Sequence, residues 1–241
     1  MMLKNIFVII IVSIATLPFI VWYLGQSNPK SQKNTFTNQK TGMKYVAIGD
    51  SYTIGVGVEE DERWSNILTN HLNKEGINVY LVANSAVSGY TVKDVIEFEL
   101  GEVEKIRPDF VTVLIGANDN FGQKEAGTYR QELRELLDRL QPIVTNPNNI
   151  VLITIPDYSK SPVLRLYRKE DMLKLIVQYN EIIKEEGRKR NLIIADIFPL
   201  SQAMISDADY VSDGLHPAAQ SYAKWEQIIF PVVFDLLKIN Q

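Results

Sequence analysis

The chain has 241 residues, no cysteine and a formal net charge of −4. The absence of thiols excludes disulfides, cysteine nucleophiles, cysteine-ligated zinc and lipid attachment through a cysteine. Four of the 25 basic side chains and none of the 29 acidic ones fall in residues 1–43, so the remainder carries about −8 and is a poor partner for nucleic acid.

The first feature along the chain is Asn5 to Leu24, NIFVIIIVSIATLPFIVWYL, an uncharged run long enough to span a bilayer. Lys4 precedes it and Trp22-Tyr23 closes it, a pattern of membrane interfaces. The run is longer than the apolar part of a signal peptide, and no clear small-x-small cleavage site follows. Residues 1–26 are therefore expected to form an uncleaved membrane anchor, with a cleaved signal segment as the alternative. Charge does not decide the orientation, because Lys4 before the span is opposed by Lys30, Lys33 and Lys40 after it. A short positive segment ahead of an apolar run is the export pattern, so an extracytoplasmic location is expected. Residues 27–43 read as a polar tether, and residues 44–241 as one globular domain.

Within that domain, short β-branched runs alternate with longer helical patterns. Strands are expected at 44–49, 77–83, 109–115, 149–155 and 192–197, each apolar at nearly every position, as in strands covered on both faces. Helices are expected at 62–74, 91–106, 128–140, 169–190 and 218–238. Thr91 is the expected N-cap of the second, with Asp94 at N3, and Pro231 should kink or interrupt the last. The alternation predicts an α/β fold: a five-stranded parallel sheet between two helical layers, joined by right-handed crossovers.

The first strand ends in Ala47-Ile48-Gly49-Asp50-Ser51-Tyr52, which places a serine at a strand's carboxyl end, where ligands sit in open α/β sheets. A turn residue or helix cap would account equally well for Ser51 taken alone. A serine hydroxyl becomes a nucleophile only when a base takes its proton, and the chain has two histidines. His71 falls at helical spacing from Ile67 and Leu68 and reads as a packing residue. His216 lies in Ser212-Asp213-Gly214-Leu215-His216-Pro217, just before the last helix, where Asp213 could orient its ring. Oxyanion donors are available after strand two, at Gly89, and after strand three, in Gly116-Ala117-Asn118-Asp119. Asp50 and Asp119 are each expected to order their own loop through side-chain to backbone hydrogen bonds. No metal-ligand spacing is present, and no cofactor is expected. Residues 157–168 and 120–128 should wall the site, with Val163, Leu164, Leu166 and Tyr167 either lining an acyl pocket or anchoring the loop.

Four blocks in order, Gly49-Asp50-Ser51, Gly89, Gly116-x-Asn118-Asp119 and Asp213-x-x-His216, resemble those of the SGNH hydrolases, the GDSL lipase/esterase superfamily, in its bacterial acylhydrolase form. The resemblance runs from residue 44 to about 235. It implies a flavodoxin-like three-layer α/β/α sandwich, with Ser51 as nucleophile, His216 as base and Asp213 as its partner. It further implies an oxyanion hole from the Ser51 and Gly89 N–H groups and the Asn118 side chain. Gly49-Asp50-Ser51-Tyr52-Thr53 lacks the last glycine of a Gly-x-Ser-x-Gly elbow, which disfavours an α/β-hydrolase. The expected activity is hydrolysis of carboxylic esters, of lipids or small acyl groups, through an acyl-serine. Removal of O-acetyl groups from an envelope polysaccharide is one alternative. A non-catalytic carbohydrate- or lipid-binding module on the same fold is another.

Overall fold

A computed structural model describes residues 42–164 and 169–239. The expected anchor and nearly all of the tether lie outside the described residues, as do Leu166 and Tyr167. Among the described residues no helix is long and apolar enough to cross a membrane.

Five parallel strands form one sheet: β1 (Met43–Gly49), β2 (Val79–Asn84), β3 (Phe110–Leu114), β4 (Ile150–Ile153) and β5 (Ile193–Ala195), in the order β2-β1-β3-β4-β5. This is the flavodoxin-like order, in which the chain leaves β1 first to one side and then to the other. The two loops that leave β1 and β3 therefore meet at one crevice. β1 begins at Met43, one residue inside the expected tether, because Met43 N–H bonds to Asn78 C=O at 2.8 Å. β1, β3 and β4 are buried almost throughout, which is why their sequences are apolar without alternation.

The main helices are α1 (Ser51–Ile54), α2 (Trp64–Lys74), α3 (Val92–Asp94), α4 (Leu100–Ile106), α5 (Ala117–Phe121), α6 (Ala126–Leu140), α7 (Lys169–Lys189), α8 (Phe198–Ser201) and α9 (Ala219–Ile239). α2 packs on α9, whereas α3 and α7 both pack on α6, giving a helical layer on each face of the sheet. Trp64, Leu68 and Leu72 bury one stripe of α2, and Trp225, Ile229, Val233 and Leu237 bury one stripe of α9.

Two local expectations have different outcomes. Thr91 caps the helix that follows it, and the Asp94 carboxylate accepts the Thr91 N–H at 2.8 Å in a reciprocal capping box. α9, by contrast, runs through Pro231 without interruption. The proline removes one backbone donor, but the buried stripe on both sides of it holds the helix together.

Candidate active site

The site is built where β1, β2 and β3 end. Gly49 closes β1 at φ 149°, and a β-carbon there would lie 2.1 Å from Leu114 C=O on the neighbouring strand. Only glycine fits that approach, so the chain can turn sharply under β3. Asp50 follows as the N-cap of α1, its carboxylate accepting Tyr52 N–H at 3.0 Å. Ser51 is the first residue of α1 and lies against this turn, 5% exposed. Burial raises Asp50 to about 7, with Tyr52 N–H opposing the rise and the charge of Asp119 adding to it.

His216 comes to the same place from the turn ahead of α9. Its ring lies 5.6 Å from that of Tyr52, the residue after Ser51. Its Nδ1 is 2.6 Å from Asp213 Oδ2, while Asp213 Oδ1 accepts the N–H groups of Leu215 (2.7 Å) and His216 (3.0 Å). Burial works against the Asp213 charge, but the His216 ring and these N–H donors outweigh it and hold the carboxyl below its usual range. Both oxygens of Asp213 are thus engaged. With Nδ1 facing a carboxylate, the ring proton sits on Nδ1 and leaves the Nε2 lone pair available.

The remaining predicted residues converge on the same crevice. Ser85 N–H and Val87 N–H bond to Ala47 C=O and Gly49 C=O, laying the loop after β2 along the end of β1. That loop reaches Gly89, which takes the left-handed region at φ 89°. Asn118 Nδ2 donates to Tyr90 C=O at 2.9 Å, so the β2 and β3 loops are joined beside Gly89.

Asp119 departs from expectation. It does not merely order its own loop: Oδ2 accepts Val92 N–H at 3.1 Å, 27 residues away, and Oδ1 pairs with Lys124. Burial raises its carboxyl despite the Lys124 ammonium. Asp119 therefore makes a second tie between the loops after β2 and β3. Asp50, in contrast, acts within its own turn as expected.

His71 is elsewhere. It lies on α2 with Nδ1 2.9 Å from Glu226 on α9, its ring stacked on Phe230 at 3.6 Å. Of the expected walls, Leu164 is buried in the core and Val163 N–H bonds to Gly214 C=O at 3.1 Å, so these two anchor the loop to the Asp213 turn.

Tyr158, Phe121 and Glu99 at the site were not singled out from the sequence. Tyr52 and Tyr158 stack at 6.3 Å, and Phe121, half exposed, stacks on Tyr158 at 5.0 Å, forming an aromatic ladder from the surface to the turn at Ser51. Glu99, fully buried, accepts Gly49 N–H at 3.1 Å. A signal for Glu99 exists in the sequence, because Val92, Val95, Ile96, Glu99, Leu100 and Val103 form one helical stripe with a single acid in it.

A family model described as "GDSL-like Lipase/Acylhydrolase family" matches residues 47–224. An acetylxylan esterase from Geobacillus stearothermophilus is 28% identical over 157 residues, spanning 61% of this chain and 63% of the relative's own length. A lipase/acylhydrolase from Enterococcus faecalis superposes with a TM-score of 0.65 at 23% identity, over 80% of this chain and 96% of that one. A psychrotrophic esterase from Pseudoalteromonas, in a structure inhibited by monoethylphosphonate, superposes with a TM-score of 0.64 at 16% identity, over 81% and 98%.

Proposed function

The chain belongs to the GDSL-like lipase/acylhydrolase family, and we propose that it is a carboxylic ester hydrolase working through an acyl-serine formed on Ser51. In this mechanism His216 Nε2 takes the Ser51 proton as the hydroxyl oxygen attacks the ester carbonyl. Asp213 keeps the other ring proton on Nδ1 and stabilises the imidazolium. The carbonyl oxygen, now an anion, is received by Ser51 N–H, Gly89 N–H and the Asn118 amide. His216 returns the proton to the departing alcohol, and water then repeats the sequence to release the acid. The observation that carries this reading is the Asp213-bound His216 ring packed on Tyr52, beside a serine at the end of β1.

For the ester class, the half-exposed Phe121, backed by the buried Tyr158 ring, offers an apolar contact suited to a lipid or small acyl ester. A second reading, O-acetyl esterase on an envelope polysaccharide, is supported by the similarity to an acetylxylan esterase. With residues 1–26 as anchor, the enzyme would act outside the cytoplasm at the membrane.

Two measurements test the proposal. A fluorophosphonate should label Ser51, located by peptide mass spectrometry, and Ser51→Ala should lose labelling and all turnover of p-nitrophenyl acetate while keeping its fold. Turnover persisting in that variant would remove Ser51 from the mechanism. Aryl esters from acetyl to dodecanoyl then separate the substrate readings: a sharp acetyl preference favours deacetylation, and tolerance of long chains favours lipid esters.

A further inference from the structure

Glu99 is a buried acid that the hydrolytic sequence does not use. It closes a π-helical turn, Val95–Glu99, set between α3 and α4, and such turns are concentrated at functional sites. The capping box at Thr91 and Asp94 fixes where this helical stretch begins, and the apolar stripe from Val92 to Val103 fixes its rotation. Together they drive the Glu99 side chain under the end of β1. There Oε2 accepts the Gly49 N–H at 3.1 Å, and Oε1 has no hydrogen-bond partner among the described residues. Asp50 Oδ2, one residue further on, is likewise buried without a partner. An unpaired carboxyl buried in this way destabilises the fold unless its position serves some other end.

We propose that Glu99 is a positioning residue for Ser51, holding through the Gly49 N–H the turn that presents the serine hydroxyl. The proposal rests on the acyl-serine reading above. Three contacts bear on the Gly49 turn: the close approach to Leu114 C=O, which only excludes side chains, the Val87 N–H on Gly49 C=O, and the Glu99 bond to Gly49 N–H. Without the Glu99 bond the Gly49 N–H loses its acceptor, and Ser51 two residues later gains freedom to shift relative to His216. A shift of that kind far from the reacting atoms reduces turnover rather than binding.

The charge state of Glu99 matters in the same terms. The groups that bear on it are acidic: Asp50 at the end of β1, Asp94 on α3 and Glu102 on α4. From α6, which packs on the same turn, Arg130 and Arg134 face Glu185 and Glu186 on α7, and Glu132 is paired with Lys124. Among the described residues no cation is paired with Glu99, and burial with these like charges pushes its carboxyl well above the usual range. Protonated, the form this shift favours, the carboxyl still accepts the Gly49 N–H through its carbonyl oxygen.

The test uses the full chain with two substitutions, read by kcat and KM for p-nitrophenyl acetate across pH and by Tm. Glu99→Leu removes the acceptor without burying a new polar group, and should lower kcat about tenfold to a hundredfold with KM little changed. Glu99→Gln keeps a neutral acceptor and should restore most of that loss. Unchanged kcat in Glu99→Leu would overturn the proposal, as would equal losses in both variants. Should Glu99→Leu not fold, Glu99→Met, of nearly the same length and without the acceptor, is read in its place, and an unchanged kcat there overturns the proposal. Fluorophosphonate labelling of the parent separates this failure from failure of the acyl-serine reading: labelling at Ser51 with an indifferent Glu99→Leu sinks only the role of Glu99.

Discussion

The molecule contains two histidine–carboxylate pairs of nearly the same local chemistry, and they occupy regions with opposite properties. His216 with Asp213 and His71 with Glu226 each join Nδ1 to a carboxylate oxygen, at 2.6 and 2.9 Å, and each ring rests on an aromatic neighbour. The first pair sits in a turn at the carboxyl ends of the strands, next to a serine and two loops rich in N–H donors. The second bridges two helices on one face of the sheet, with the histidine side chain 40% exposed and Glu226 buried. A histidine oriented by an acid is thus not in itself a catalytic device. What distinguishes His216, and makes it the proposed base, is where the sheet topology delivers it.

The comparison is broken most severely by exchanging the two histidines for alanine. His216→Ala should reduce kcat by about a millionfold, the scale found when a member of a serine–histidine pair is lost, while His71→Ala leaves turnover close to the parent. The His71 variant should instead lower stability by about 1–3 kcal/mol in denaturant unfolding, because it leaves Glu226 buried without its donor. A large loss of turnover in His71→Ala would erase the distinction.

The next test moves to the acids. Asp213→Asn should cost about 10⁴ in kcat, since the amide no longer selects the tautomer with a bare Nε2. Glu226→Gln should leave kcat intact and move only the unfolding midpoint. Equal kinetic effects in the two variants would place both pairs in the same mechanism.

The smallest effect concerns stability against pH, and here two carboxyls of the same site carry opposite signs. Asp213 is held below the usual range, so it contributes stability above about pH 4, and this is lost as pH falls through its folded value. Asp50 is raised to about 7, so the folded state holds that proton more tightly than the unfolded chain. Its contribution is therefore largest in acid and declines as pH rises from about 4 to 7. Asp50→Asn, which retains a capping oxygen, should gain stability relative to the parent across that upper window. Identical slopes for parent and variant in denaturant unfolding at pH 5 and pH 8 would show that Asp50 ionises there without penalty.

Much of this architecture could be read in the chain because it depends on short-range pattern. Strands buried on both faces are written as uninterrupted apolar runs, and the Thr91 and Asp94 cap is written three residues apart. The four blocks of the proposed site were legible for a related reason: each lies in the turn directly after a strand or before a helix. Glu99, Tyr158 and the reach of Asp119 were not. Their partners are Gly49, Tyr52 and Val92, and no local rule connects residues tens of positions apart. Pro231 shows the converse, a strong local signal overruled by the buried stripe around it. His71 reads from its spacing as a packing residue and stacks on Phe230, yet its bond to Glu226 spans 155 positions and is not visible from α2 alone.

One consequence of β1 concerns attachment. The strand runs from Met43 to Gly49, so the site at Ser51 and the point where residues 1–42 join the sheet lie at opposite ends of it, about 20 Å apart along the strand. A probe attached at residue 43 would therefore sit at the end of the sheet opposite the proposed site, whereas one attached at the half-exposed Phe121, on α5 just after β3, would sit on the side of that site.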